Sequence, residues 1–259
     1  MRGLLLPTVT RKALAVTLRN WLAWRKQLHA NILLFLGDPV MYLGAIGWGL
    51  GGFVNLHGTS LVEYIAPGLL VMTAASSVVY DITAGGYMRL REQGVYQAMM
   101  DTPMGEDEII AGELIWEIAR SIMYGGMFLA VTVLFGLKPA WSVIMLPVIL
   151  AINGVFFGCV TWTVVAKVRH VEQLFYYFTL VVTPLFLFSG VFFPVERLPE
   201  IAQSVIELLP MYHVVEMSRD LFYGEIEKST LLYHAMWAVG VTAMTLPFPV
   251  RALRRALRA

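Results

Sequence analysis

Ser189-Gly190-Val191-Phe192-Phe193-Pro194-Val195-Glu196-Arg197-Leu198-Pro199 follows an uncharged apolar run from Leu174 to Phe188 and continues through Pro210 to Arg219 and Gly224. The run reads as a helix entering lipid. The Ser-Gly pair and then Pro194, Pro199 and Pro210 stop it, because proline removes an amide donor and clashes with the preceding turn. Between Pro199 and Pro210, apolar Ile201, Ala202, Val205, Ile206 and Leu209 recur at helical spacing opposite Glu200, Gln203, Ser204 and Glu207. A bilayer crossing takes about 20 apolar residues, so this piece is too short to span. It is expected to lie in the interface or to dip in and return. The pattern resumes in Met211–Tyr223, with Val214, Val215, Leu221 and Phe222 facing away from His213, Glu216, Arg219 and Asp220. A spanning helix therefore opens into a folded lip, 189–229, on one side of a membrane.

Composition extends this to the whole chain. Of 259 residues, 58% are hydrophobic and 14% charged, and the mean hydropathy is +0.68, against about 25% charged residues in soluble domains. The expectation is an all-α integral membrane protein forming one transmembrane bundle over 1–259. Residues 1–30 hold six basic residues and no acid. They read as a basic amphipathic helix on the membrane surface, with Leu14, Leu18, Trp21, Leu22 and Leu28 apolar and Trp21 and Trp24 at headgroup depth; a solvated basic tail is the plainer alternative. Six spans are expected, at about Asp38–Val54, Val62–Gly86, Ile110–Phe135, Trp141–Ala166, Leu174–Val191 and Leu231–Val250. A charged loop at 87–113 carries a short helix in Gly94–Met100, ended by Asp101-Thr102-Pro103, and a basic tail follows at 251–259.

Six spans put both termini on one side. With Met1 in the cytoplasm, fifteen of the 19 basic residues fall inside and only Lys138, Arg197, Arg219 and Lys228 outside, in keeping with the positive-inside rule. The lip is then external and the 87–113 loop cytoplasmic.

The chain carries no phosphate-binding loop, no zinc-protease motif and no nucleophile elbow. Its lone cysteine, Cys159, lies in an apolar segment. No catalytic, cofactor or metal residue is therefore assigned, and the basic residues are explained by topology without nucleic acid. Charges inside spans are the better clue, since one near the bilayer centre costs about 3 kcal/mol or more. Asp81 and Arg120 match in depth on neighbouring antiparallel helices, and Glu113, Glu117 and Arg120 share a helix face. An Asp81–Arg120 contact would tie together the two helices that bracket the cytoplasmic loop. In the alternative, each side chain reaches separately to the inner interface.

The lip motif, then Leu209-Pro210-Met211-Tyr212-His213 and Arg219-x-Leu221-Phe222-Tyr223-Gly224, resembles the C-terminal signature of type-two ABC exporter permeases. Gly94-Val95-Tyr96 through Thr102-Pro103, Gly112-Glu113-Leu114-Ile115-Trp116 with Arg120, and Tyr64-Ile65-Ala66-Pro67-Gly68-Leu69 add to the resemblance. Within that class the likeness leans to permeases that export acylated chitin oligosaccharides. The resemblance implies export of an amphipathic lipid-linked saccharide across a bacterial inner membrane, with a drug exporter of the same architecture as the alternative. It implies two permease copies, most simply a homodimer, and two separate ATPase subunits that carry ATP and magnesium. The Val95–Thr102 helix would be the coupling helix, with Val95, Tyr96, Met99, Met100, Thr102 and Pro103 docking the ATPase; a plain helical connector is the other reading. Ser189, Gly190, Pro194, Pro199, Pro210 and Arg219 would shape the external lip. Phe175, Tyr176, Tyr177 and Phe178 would line the path, or else form an ordinary aromatic belt. From a different class, the chain would be a membrane-embedded enzyme or a scaffold.

Overall fold

The computed structural model describes residues 6–45, 49, 55–56 and 59–258. Most of the C-terminal half of the expected first span, with Gly47, Gly51 and Gly52, and the His57 connection lie outside these residues. Helix α1 (Arg11–Lys26) leads into α2 (Leu28–Gly44), and a two-residue antiparallel hairpin, β1 (Asn55–Leu56) with β2 (Thr59–Ser60), precedes α3 (Leu61–Tyr80). Helix α3 begins at a capping box. The Ser60 Oγ accepts the Glu63 N–H at 3.2 Å, and the Glu63 carboxylate accepts the Ser60 N–H at 2.8 Å. It runs without a break through a π-helical turn, Asp81–Gly86, into α4 (Tyr87–Arg91). Gly94, at φ 61°, turns the chain into α5 (Val95–Met100), and α6 (Glu106–Leu134) follows. The loop expected over 87–113 is thus mostly helix end: only residues 92–105 leave the two long helices.

A 3₁₀ turn at Trp141–Met145 opens α7 (Leu146–Lys167). Then come α8 (Glu172–Tyr177), a π turn at Phe178–Val182 and α9 (Thr183–Leu187). After Gly190, at φ 76°, the lip holds α10 (Glu200–Ile206) and α11 (Pro210–Tyr223). Helices α12 (Lys228–Thr245) and α13 (Pro247–Arg258) finish the chain. Among the described residues, four helical stretches are long and apolar enough to cross a membrane: Leu61–Arg91, Glu106–Leu134, Trp141–Lys167 and Lys228–Arg258. Glu172–Leu187 is a shorter apolar helix. The protein is an all-helical membrane protein apart from the small hairpin.

Helix α6 lies at the centre, against α7, α3 and α1. Such proximity requires missing side chains. A Cβ on Gly154 of α7 would sit 2.8 Å from the Glu117 carbonyl, and one on Gly112 of α6 would sit 2.5 Å from the Ala13 carbonyl. Both distances are below any real contact, so the backbones touch because these positions are glycine.

The apolar face expected on α1 is turned away from the bundle, and another face packs inward. Its inward face is Ala13, Val16, Asn20 and Trp24 against α6, while Leu14, Leu18, Trp21 and Leu22 are exposed. Whereas Trp21 is exposed, Trp24 is buried. Its indole donates to the Tyr124 hydroxyl at 2.9 Å in a pocket shared with Trp116. Glycine at 112 lets the helix approach closely enough for small Ala13 and Val16 to outcompete the longer leucines, which are left to face lipid. The expected basic tail is likewise structured. Val250, Leu253 and Leu257 of α13 are buried, Arg254 bonds Asp107 at 2.7 Å, and Arg258 bonds Glu106 at 2.8 Å. The acids at the start of α6, favoured there by the helix dipole, thereby receive cations from the last helix.

Gly112→Ala is expected to push α1 off α6 and to destabilise the protein by about 1–3 kcal/mol, as overpacking does. Gly126→Ala, which meets open space, is the control. Thermal unfolding in detergent and trypsin cleavage at Arg19 and Arg25 read the difference: faster cleavage in the first variant only.

Candidate functional site

A buried charge cluster lies where the residue 92–105 connection joins the long helices. Asp81 opens the π turn, Arg89 follows on α4, Tyr96 lies on α5, and Glu113, Glu117 and Arg120 recur on one face of α6. Arg120 Nη1 is 3.2 Å from Asp81 Oδ1, and Arg89 Nη2 is 3.2 Å from Asp81 Oδ2. The same Arg89 nitrogen reaches Glu113 Oε2 at 3.1 Å. Glu113 also accepts from the Tyr96 hydroxyl at 2.9 Å and from the Asn20 amide at 3.0 Å. Arg120 Nε donates to the Ser77 carbonyl at 3.1 Å, and its guanidinium lies 5.0 Å from the Tyr124 ring centre. One network thus links α1, α3, α4, α5 and α6.

Burial, and then the Glu113 carboxylate, push the Tyr96 phenol well above its usual value. It stays protonated and serves as a donor. Glu117 is fully buried, and neither of its carboxylate oxygens has a hydrogen-bond partner among the described residues.

The expected coupling residues divide into two sets. Tyr96 is 1% exposed, packs edge-on against Trp162 at 6.4 Å and is spent inside the protein. Met99 and Met100 are partly buried against the core, as is Val95. The outward surface is Gln97, Ala98, Asp101, Thr102 and Pro103. Periodicity located the helix, but an apolar face on a short helix covers its own protein first. The helix ends are anchored further on: Arg91 donates to the Ala166 carbonyl at 2.9 Å, and the Tyr87 hydroxyl to the Arg169 carbonyl at 3.0 Å.

In the lip, Gly190 supplies the left-handed turn, and its carbonyl accepts from Arg219 at 2.9 Å. Arg219 also pairs with Glu216 and lies 4.2 Å over the Tyr64 ring. Ser189 bonds back to the Leu185 carbonyl, Pro194 and Pro199 flank the short 3₁₀ turn Val195–Arg197, and Pro210 starts α11. Burial and the neighbouring Glu216 raise the Asp220 carboxyl to about 6. His213, placed by its spacing with the polar residues, is buried. Its Nδ1 meets His234 Nδ1 at 2.6 Å, its Nε2 meets the Glu207 carbonyl at 2.7 Å, and burial lowers its basicity. On α10, Ile201 and Val205 are exposed and only Ile206 is buried. Of the four aromatics in Phe175–Phe178, Phe175 and Tyr176 are exposed, Tyr177 bonds Thr161 at 2.9 Å, and Phe178 is partly buried.

Sequence reasoning missed Arg89 and Asn20. Arg89 had been read only as a cytoplasmic charge; the signal was its position eight residues after Asp81 on a helix that does not stop at Gly86. The buried His213–His234 pair had no signal, because it joins residues on different helices. Among the described residues no group of three or more His, Cys, Asp or Glu is placed to hold a metal.

The profile of the ABC-2 type transporter family matches residues 11–223. The chain is 31% identical to nodulation protein J of Rhizobium meliloti (strain 1021) over 212 residues, covering 82% of this chain and 81% of that protein. It is 28% identical to nodulation protein J of Rhizobium leguminosarum bv. viciae over 246 residues, 95% of each. It is also 24% identical to the inner membrane transport permease YadH of Escherichia coli over 209 residues, 78% of this chain and 81% of that one. With the match running from α1 through α11, the chain belongs to the ABC-2 type transporter family as a membrane-spanning permease.

Proposed function

We propose that the chain is the permease subunit of an ATP-driven exporter that carries an amphipathic, lipid-linked saccharide outward across a bacterial inner membrane. The reading rests most on one observation: α5 is wired by Tyr96, Glu113 and Arg89 into the buried pairs of α3 and α6. A push on α5 is therefore delivered to the middle of the bundle. A permease of this family normally works with an ATP-binding subunit, and the exposed side of α5 with Thr102 and Pro103 offers a contact for it. Nucleotide and magnesium belong to that subunit. The likeness to nodulation protein J over most of the chain supports a lipooligosaccharide-like cargo.

Six spans, with Glu172–Leu187 prolonged into the lip as the fifth, put both termini in the cytoplasm, as the fifteen-to-four division of basic residues favours. Two permease copies and two ATP-binding subunits complete the exporter, and alternation between inward-open and outward-open forms moves the cargo. The exposed Phe175 and Tyr176 then face the second copy or the path.

Three experiments test this. Gln97→Arg with Ala98→Asp, both on the exposed side of α5, is expected to abolish co-purification of the ATP-binding subunit while leaving thermal stability unchanged. Tyr96→Phe keeps the partner bound but loses most of the cargo-stimulated ATP hydrolysis; export reading through α5 is wrong if Tyr96→Phe is silent. Asp81→Asn and Arg120→Gln each strand a buried charge and are expected to lower export about tenfold or more. Combined, they restore part of it, because removing both partners leaves nothing unpaired. Strict additivity in that double-mutant cycle counts against the pair.

A further inference from the structure

Between α1, the π turn after α3 and the middle of α6 lies an open cavity of about 440 Å³, within the roughly 300–1,000 Å³ range of small-ligand sites. Its deep wall is the charge cluster, yet those charges are already spoken for. Asp81 holds Arg89 and Arg120, and Glu113 takes the rest of Arg89. What the cavity offers a visitor is different. The side-chain amides of Gln27 and Gln93 line it and bond to no described residue. Asn31 donates to the Trp24 carbonyl at 3.3 Å, which leaves its own oxygen turned to other donors. Tyr80, 45% exposed, and Met88, 42% exposed, form an apolar side. Arg19 is the one cation on the wall outside the cluster.

Planar amides that both donate and accept, beside an exposed aromatic ring, suit hydroxyl groups on a ring with an apolar face. They suit a phosphate less well, since among the lining guanidinium groups only Arg19, which already donates to Asn20 at 2.9 Å, lies outside the cluster, and the Asp81 carboxylate lines the same wall. Next to the cavity, α1 presents Leu14, Leu18, Trp21 and Leu22 outward, a surface for an acyl chain. We propose that this cavity is the reception site for the saccharide head of an amphipathic cargo, whose chain lies along the outer face of α1. The proposal rests on the exporter reading above and adds to it the place and chemistry of first contact.

The test uses the full chain with its ATP-binding subunit in nanodiscs and a maltose-headed alkyl amphipath bearing a diazirine beside its glycosidic oxygen. Photolabelling is expected on peptides covering residues 19–31 and 80–93. Unlabelled maltoside should compete and phosphatidylglycerol should not. Gln27→Ala with Gln93→Ala should lower labelling about tenfold, the loss of two modest hydrogen bonds. Both residues are exposed, and unchanged thermal unfolding of the double variant verifies its fold. Labelling spread over the lipid-facing surface, or indifferent to the double variant, overturns the site. Competition by phosphatidylglycerol overturns the saccharide assignment in favour of an anionic head. If labelling fails while cargo-stimulated ATP hydrolysis persists, the site alone falls. If labelling succeeds with no ATP-binding subunit co-purifying, the cargo role falls with the exporter reading.

Discussion

Charge taken out of water inside a lipid-embedded bundle must be matched, and this single constraint organises the end of the bundle that carries the 92–105 connection. Asp81, Arg89, Glu113 and Arg120 are all buried or nearly so, and an isolated ion in such a place costs several kcal/mol. Each is acceptable only while its partners on other helices stay in position. The pairs therefore act less as glue than as a geometric specification. Helix α5 cannot shift without Tyr96 leaving Glu113, and Glu113 cannot shift without disturbing Arg89 and then Asp81. Rigid wiring of this kind transmits displacement well, because discrete bonded arrangements do not deform gradually.

Close backbone approach is what brings those partners within reach. Gly112 admits α1 to α6, so that Asn20 can reach Glu113, and Gly154 admits α7 against the carbonyls of α6. In a membrane, helices gain little from burying apolar surface against one another, since lipid is equally apolar. Small residues and polar bonds do the work instead. The opposite end of the bundle follows the same logic with different parts: Arg219 is fixed by the Gly190 carbonyl, Glu216 and the Tyr64 face, locking the lip to the start of α3.

Much of this was legible in the chain. Long uncharged runs separated by Pro, Gly and charges marked spans at about Val62–Gly86, Ile110–Phe135, Trp141–Ala166 and Leu231–Val250, and each falls within or nearly within a helix long and apolar enough to cross a membrane. Depth matching alone put Asp81 opposite Arg120, and the structure brings them together. Less legible was which side of a helix faces the protein. On α1 the apolar stripe was read outward and is exposed, whereas on α5 it was read toward a partner and packs inward, for in a membrane protein apolar side chains face lipid as readily as the core. There hydrophobicity loses its power to tell inside from outside, and small residues such as Ala13 and Gly112 carry the information. The helix ends at Arg91 and Arg258 extended beyond the expected spans for a related reason. Charged residues do not break a helix when acids such as Asp107 and Glu106 stand ready to pair with them.

The π turn at Asp81–Gly86 has a consequence for how α4 is aimed. A π turn holds one more residue than an α turn, so everything after it is rotated by about 100° around the axis relative to an unbroken α-helix. Without that extra residue Arg89 would point away from Asp81 and Glu113, and α5 would hang from a differently oriented stalk. The helix thus contains a built-in rotary offset, six residues long, placed between the part embedded in the bundle and the part that meets the connection at residues 92–105. Returning the turn to α-helical bonding would swivel α4 by the same angle without breaking the continuity of the helix.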